Sequence, residues 1–303
     1  MGAILLYVVA QIYFWAWTRP SLLGPLCSSA GSSLGDWTFD LWITGPLLAS
    51  GLLYAGGLAV LWSRVGAGHG VRGWQAAAFG AGWLALAFAL VSPLHHAGEQ
   101  LFTVHMIEHE IVMAVAAPLL VMARPAAAFL WALPRPLRHG IGRATRSSAV
   151  ATPWRMLTSP LHATILHGVT IWAWHAPALF DAAVVNVHLH RLQHVSFLLT
   201  AILFWWAMVR RSNRGAACGH LFVTMTHTGL LGALMTLAPH VLYRVQTAHS
   251  SAWGLTALED QQLAGLVMWI PAGTIYAGAA LSFAALWIKR SGAPPAWTGD
   301  YAR

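Results

Sequence analysis

The stretch TVHMIEHEIVM, residues 103–113, places ionisable side chains inside an apolar region of the chain. His105, Glu108 and His109 follow one another at the spacing i, i+3, i+4, so they share one face of an α-helix. Met113 follows His109 by one further turn. Imidazole nitrogens bind metals and carry protons, and thioether sulfur favours Cu(I). The spacing therefore indicates a metal or proton site on one side of a helix.

The composition indicates that most of this chain lies in a membrane. Only 9% of its 303 residues are charged, its mean hydropathy is +0.60, and 57% of its residues are hydrophobic. A soluble protein of this size carries about a quarter charged residues. The net charge of +8 is typical of basic loops between membrane spans and gives no indication of nucleic-acid binding. Two cysteines without a CxxC motif exclude a thiolate metal site.

Seven apolar segments are each long enough to cross a hydrocarbon layer about 30 Å thick. They lie at residues 41–62, 74–94, 101–123, 160–180, 190–209, 219–239 and 262–287. An eighth apolar run, residues 2–17, is either a retained helix or a signal sequence. The predicted fold is an all-α integral membrane protein, a seven-transmembrane-helix bundle. We divide it into an N-terminal hydrophobic extension (1–36), the membrane domain (37–290) and a tail (291–303).

Basic residues are concentrated in alternate loops, and this asymmetry predicts the orientation. Most of the 17 lysines and arginines lie in the connections after the first, third and fifth segments and in the tail. Basic loops stay in the cytoplasm. We therefore predict a bacterial inner (plasma) membrane protein with a cytoplasmic C-terminus, and place the start of the third segment at the outer face.

In this topology, histidines from three segments reach the same depth in the outer half of the bundle: His105, His109, His175 and His194. Ionisable groups at such depth are costly and face the bundle interior. Any one of them is explained by an interhelical hydrogen bond, but four together favour a metal site. We predict these four as ligands. Glu108 is predicted to accept a hydrogen bond from a ligand imidazole.

Two other chemistries remain open from the residues alone. His105, Glu108 and His109 match H-x-x-E-H, in which two histidines bind zinc and the glutamate activates water. No third ligand for such a metallohydrolase is identifiable from the sequence. Facing histidines in a helical bundle can also ligate haem.

Five motifs occur in an order that is specific to one family: HMIEHEIVMAVAAPLLVMARP, WAWHAPALFDAA, LQHVSFLLTAILFWW, THTGLLGALMTLAP and EDQQLAGLVMWIPAG. Over residues 37–288 the chain resembles the CtaG family of membrane-embedded cytochrome c oxidase assembly factors, of the caa3 type. The resemblance implies a seven-helix bundle that supports maturation of a heme-copper oxidase by handling copper. The implied partners are the oxidase subunits and a periplasmic copper chaperone.

Carried over residue by residue, the resemblance marks a set of candidate site residues: His105, His109, His175, His194, His227, Asp260, Gln261, Gln262 and Met268. We interpret His227 and Met268 as a deeper pair below the four histidines, and Asp260 as part of the metal site. The chain departs from the family pattern in its N-terminal extension and in Glu108 and Glu110, which make this helix more acidic.

The sequence therefore predicts a copper-binding membrane assembly factor, acting on Cu(I) or Cu(II), with no catalytic residues. The alternatives are a copper transporter or copper-tolerance protein and, as a lesser one, a membrane metalloenzyme. A transporter needs a polar path to the inner face, which His167, His220 and Cys218 are placed to line.

Overall fold

The computed structural model describes residues 37–291, which fold into helices joined by short connections, with no β-strand in that range. The α-helices are Leu41–Val65 (α1), Gly73–Val91 (α2), Pro93–Gln100 (α3), Phe102–Glu110 (α4), Ala117–Ala123 (α5), Ala126–Ala132 (α6), Arg135–Ala144 (α7), Ser148–Leu157 (α8), Pro160–Trp174 (α9), Pro177–Val185 (α10), Val187–Arg210 (α11), Arg214–Thr236 (α12) and Ala257–Ser291 (α13). A π-helix, Ile111–Ala116, joins α4 to α5, and a 3-10 helix spans Ser250–Trp253. The predictions for residues 1–36 and for the tail beyond 291 lie outside the described residues.

Five stretches are long and apolar enough to cross a membrane: Leu41–Val65, Gly73–Val91, Phe102–Ala123, Val187–Arg210 and Ala257–Lys289. They coincide with five of the seven predicted spans. The prediction of an all-helical membrane protein is therefore confirmed.

The two remaining predicted segments differ from the others. The prediction of one helix through residues 160–180 is wrong, because α9 ends at Trp174 and α10 begins at Pro177. A residue before proline avoids the helical conformation, and Ala176 is extended. Most of the segment 219–239 lies on α12, which has 23 residues and ends at Thr236. The mean hydropathy of this helix is lower than that of the five stretches that are apolar enough to cross a membrane.

The third predicted span is one continuous helical stretch with a change of winding in its middle. The π-helix Ile111–Ala116 starts directly after Glu110, the last residue of α4. Wider π turns shift the faces of the helix on either side and occur frequently at functional sites. Trp205 on α11 donates from Nε1 to the Met113 carbonyl at 3.0 Å. That bond fixes the π-helix against α11.

Buried apolar side chains form two clusters within the described residues. The larger one surrounds Phe197 and Phe204 of α11 and Met268 of α13. The smaller one lies between α1, α2, α5 and α6 around Tyr54 and Phe79, whose rings stack with centroids 3.6 Å apart. Met113 of the π-helix belongs to the larger cluster and Val112 to the smaller one, so the π-helix packs against both.

Helices α12 and α13 pack with almost no space between their backbones. A Cβ atom added at Gly265 of α13 would lie 2.6 Å from the Gly232 carbonyl oxygen and 2.7 Å from the Thr236 nitrogen. Close helix approach at small residues is the common device for helix association in lipid. This contact orients the start of α13, which reaches the candidate site.

We expect Gly265→Ala to destabilise the protein by about 1–3 kcal/mol, since overpacking against backbone atoms forces the helices apart. The measurement is thermal unfolding of the detergent-purified protein. Gly273→Ala on the same helix is the matched control, because a Cβ there meets no atom within 4 Å. Equal unfolding temperatures for the two variants would contradict the close packing of α12 against α13.

Candidate metal centre

Three of the four histidines predicted as ligands come together in the structure. Each of His105, His109 and His194 offers one ring nitrogen, and these three atoms lie within 4.8 Å of one another. Helix α4 supplies the first two, one turn apart, and α11 supplies the third. The ring centroids of His105 and His109 are 4.4 Å apart, and those of His109 and His194 are 5.0 Å apart. A single cation between them can contact all three imidazoles.

Four of the ring nitrogens of this cluster lack hydrogen-bond partners among the described residues. The unpartnered buried atoms are Nε2 of His105, both nitrogens of His109 and Nδ1 of His194. His105 and His109 are almost fully buried. Buried polar atoms without partners are rare because their desolvation is uncompensated. Lone pairs gathered in one place fit a bound cation, which would coordinate the nitrogens that no protein donor reaches.

His190 is a neighbour of the cluster that the sequence analysis did not assign to it. Its Nε2 lies 2.8 Å from Nε2 of His194, and its ring stacks on that of His105 with centroids 5.4 Å apart. His190 and His194 are one turn apart on α11. The i, i+4 spacing was the signal available in the sequence, and it is the same spacing that identified His105 and His109.

Glu108 accepts a hydrogen bond from a histidine, but its partner is not the one predicted. Its Oε1 lies 2.8 Å from Nδ1 of His95 on α3, and 3.6 Å from Nδ1 of His194. Burial lowers the pKa of His95, but the carboxylates of Glu108, Glu99 and Asp40, above all that of Glu108, together raise it to about 9. Glu108 is fully buried. Its Oε1 is therefore engaged with His95 at the edge of the three-histidine cluster, while its Oε2 has no hydrogen-bond partner among the described residues.

His175, the fourth predicted ligand, lies beside the cluster rather than in it. It directly follows Trp174, the last residue of α9, and so lies in the break between α9 and α10. Its ring centroid is 6.4 Å from that of His109. Its Nδ1 donates to the Ile171 carbonyl at 2.7 Å, which leaves Nε2 as a lone pair. That Nε2 is buried without a partner. His175 thus has the tautomer of a ligand and lies next to the set.

His227 and Met268, which were predicted to form a deeper pair, lie in different surroundings. Nδ1 of His227 on α12 lies 3.4 Å from the Trp172 indole nitrogen, which donates to it across to α9. Met268 packs within the larger apolar cluster and is 2% exposed. Met113 belongs to the same cluster. The methionines thus fill the core beside the imidazoles, and His227 faces α9.

Asp260 belongs to the first turn of α13 and contacts the start of α4 rather than the clustered imidazoles. Its carboxylate accepts from the Phe102 and Thr103 backbone nitrogens at 2.9 Å each. The Thr103 and Ser250 hydroxyls donate to it at 2.7 Å each. A carboxylate on the first N–H groups of a helix satisfies them and complements the helix dipole. The predicted role of Asp260 in the metal site is corrected accordingly: it anchors the helix that bears His105 and His109.

Gln261, next to Asp260, holds the connection between α12 and α13. Its Oε1 accepts from the Leu242 nitrogen at 2.6 Å, and its Nε2 donates to the His240 carbonyl at 3.3 Å. In the same connection, the Tyr243 hydroxyl donates to the His175 carbonyl at 2.7 Å. The acidic-glutamine motif thus positions the elements around the cluster.

The fold and this cluster define a helical membrane protein with a buried site formed by several histidines. The chain belongs to the cytochrome c oxidase caa3 assembly factor family, whose model matches residues 52–290. The resemblance stated from the motifs is thereby confirmed.

Mycobacterial proteins of uncharacterized function are also similar to this chain. Those of Mycobacterium bovis and Mycobacterium tuberculosis are 29% identical over 249 residues, and that of Mycobacterium leprae is 27% identical over 248 residues. Each alignment covers 77% of this chain and 36% of the relative. The chain thus spans about a third of the length of these relatives. No solved structure matches it.

We expect Asp260→Asn to lower the stability of the metal-free protein by about 2 kcal/mol, because two backbone N–H groups of α4 lose their charged acceptor. Thermal unfolding of the metal-free protein measures this. Glu259→Gln is the control, since Glu259 is exposed and contacts only its own helix start through Thr256. If Asp260→Asn unfolds at the parent temperature, the carboxylate does not anchor α4.

Proposed function

We propose that this protein binds copper through His105, His109 and His194 and holds it for insertion into a cytochrome c oxidase. The observation that carries the proposal is the set of buried, unpartnered imidazole nitrogens within 4.8 Å of one another. Membership in a family of oxidase assembly factors supplies the biological setting. His175, with its free Nε2, is placed to join as a fourth ligand after a small movement of the ring.

Copper fits this donor set better than the other metals that imidazole binds. Among divalent first-row metals copper has the highest affinity for nitrogen sites, and a neutral histidine set also accepts Cu(I). The neighbouring carboxylate of Glu108 is engaged with His95 at 2.8 Å. Hard oxygen-preferring cations such as magnesium and calcium need several oxygen ligands, so this cluster disfavours them.

The surroundings of Glu108 support a binding role over hydrolysis. A hydrolase of the H-x-x-E-H type needs a carboxylate that faces a metal-bound water. Glu108 is fully buried, His95 is hydrogen-bonded to its Oε1, and its Oε2 has no hydrogen-bond partner among the described residues. We infer that Glu108 orients the histidines around the cluster and does not act as a general base.

The cluster is also inferred to lie on the outer side of a bundle with seven crossings. Helices α4, α11 and α13 begin, and α9 ends, at the end of the bundle that holds the histidines. Helix α7, with three arginines, and helix α8, with one, lie in the connection at the opposite end. Basic connections remain in the cytoplasm, which supports an outward-facing site and a cytoplasmic C-terminus.

Delivery to an oxidase is favoured over transport to the cytoplasm. His167, which a path to the inner face would use, is fully buried and has both ring nitrogens occupied. Its partners are the Thr200 hydroxyl at 3.2 Å and the Tyr276 hydroxyl at 3.4 Å. These bonds leave neither ring nitrogen of His167 free to bind a metal on such a path. Oxidase subunits and an external copper carrier are the partners that this role requires.

His109→Ala is expected to lose most of the copper bound by the parent, because the buried ring of His109 supplies one of the three clustered nitrogens and has no hydrogen-bond partner among the described residues. The measurement is copper per protein after loading and removal of free metal. His188→Ala, an exposed position on α11, is the matched control and should retain full binding. A parent-like copper content in His109→Ala would contradict the proposed site.

Deletion of the gene separates assembly from transport. We expect total cellular copper to stay close to that of the parent, while the copper content and activity of the oxidase fall. An assembly factor acts on one acceptor, whereas a transporter changes the metal content of a compartment. Normal oxidase copper in the deletion strain would contradict the assembly role.

A further inference from the structure

A cavity of about 50 Å³ adjoins the histidine cluster at the end of the bundle where α11 begins. We name it the vestibule. The side chains around it that matter here are His95, His190 and His194 together with Asp40, Glu99 and Arg191. The volume is sufficient for a cation and a small number of waters. The vestibule therefore leads from the bundle end to one of the three clustered imidazoles.

Arg191 places a permanent positive charge in the wall of this vestibule. It lies on α11 between His190 and His194, so its position is tied to that of the histidines. A guanidinium stays protonated at any physiological pH. An unpaired guanidinium at this place would repel a copper ion that approaches the cluster.

The carboxylate of Asp40, the residue directly before α1, balances that charge. Its Oδ2 accepts from Nε and Nη2 of Arg191 at 3.1 and 2.6 Å. Its Oδ1 accepts from the Trp42 backbone nitrogen at 3.0 Å and so caps α1. The carboxylate is therefore held by the helix and cannot follow a moving arginine. The two side chains are 12% and 23% exposed, so the pair is partly shielded from solvent screening.

The geometry points to Asp40 as a positioning residue for metal uptake: it neutralises Arg191, holds the guanidinium against the vestibule wall, and so sets the rate at which copper cations reach the histidine cluster. This inference rests on the proposed copper-binding function. Among the described residues, no hydrogen bond or ion pair joins Asp40 or Arg191 to the three clustered imidazoles, so the pair acts on uptake through charge and leaves the ligand set unchanged.

A purely structural role is the competing explanation, because the same pair joins α1 to α11. The two explanations differ in how charge changes combine. Under the structural explanation, Asp40→Asn, Arg191→Gln and the double variant all lose the same link and behave alike. Under the electrostatic explanation, the two single variants change the vestibule charge in opposite directions, and the double variant restores the balance.

The experiment measures the rate of copper uptake by the full-length protein in nanodiscs of neutral lipid, mixed rapidly with copper released from a weak chelator. We expect Asp40→Asn to slow uptake about tenfold at low salt, the lower limit for electrostatic steering into a cleft. Arg191→Gln should be faster than the parent, and the double variant should be close to it. The differences should shrink as the salt concentration rises.

Arg244→Gln is the matched control, because Arg244 is exposed in the connection at the same end of the bundle and does not line the vestibule. It should leave the uptake rate unchanged, and all variants should bind the parent amount of copper at equilibrium. Equal rates in the three vestibule variants overturn this inference alone. A parent protein that takes up no copper overturns the proposed function and this inference with it.

Discussion

The rest of this structure depends on the need to pair ionisable groups inside an apolar bundle. Each polar group withdrawn from water must find a partner, because an unpaired one costs several kcal/mol. Glu108 meets His95, His167 meets Thr200 and Tyr276, and Asp40 meets Arg191. His105, His109 and His194 are left with ring nitrogens that no protein group satisfies. The cation that we propose would meet the same requirement, and the site and the stability of the bundle would then be linked.

Precise placement of these imidazoles comes from bonds at the ends of helices. Asp260 fixes the start of α4, Gln261 fixes the connection before α13, and Tyr243 ties that connection to the end of α9. Trp205 holds the π-helix that follows α4. These contacts join α4, α9, α11 and α13, the helices around the cluster. A metal site needs ligands held by surrounding hydrogen bonds, and here those bonds are also the packing contacts of the bundle.

Sequence reasoning identified the helical membrane fold and the face that carries His105 and His109, because length, hydropathy and residue spacing are local properties. It did not identify the break before Pro177 as the end of α9, the π-helix, or the pairing of Glu108 with His95, which lies on a different helix. Asp260 was assigned to the metal site because its residue type suits a ligand, but its role depends on where α4 begins in space. His190 was visible from its i, i+4 spacing with His194, and only the ring contacts distinguish it from a surface histidine.

The most direct test of the account is X-ray absorption spectroscopy at the copper edge of the purified, copper-loaded protein. We predict scattering from three imidazole rings, without sulfur, because His105, His109 and His194 converge while Met113 and Met268 pack in the apolar core. A spectrum dominated by copper–sulfur scattering, or one without imidazole rings, would contradict the assignment of the histidine cluster as the metal site.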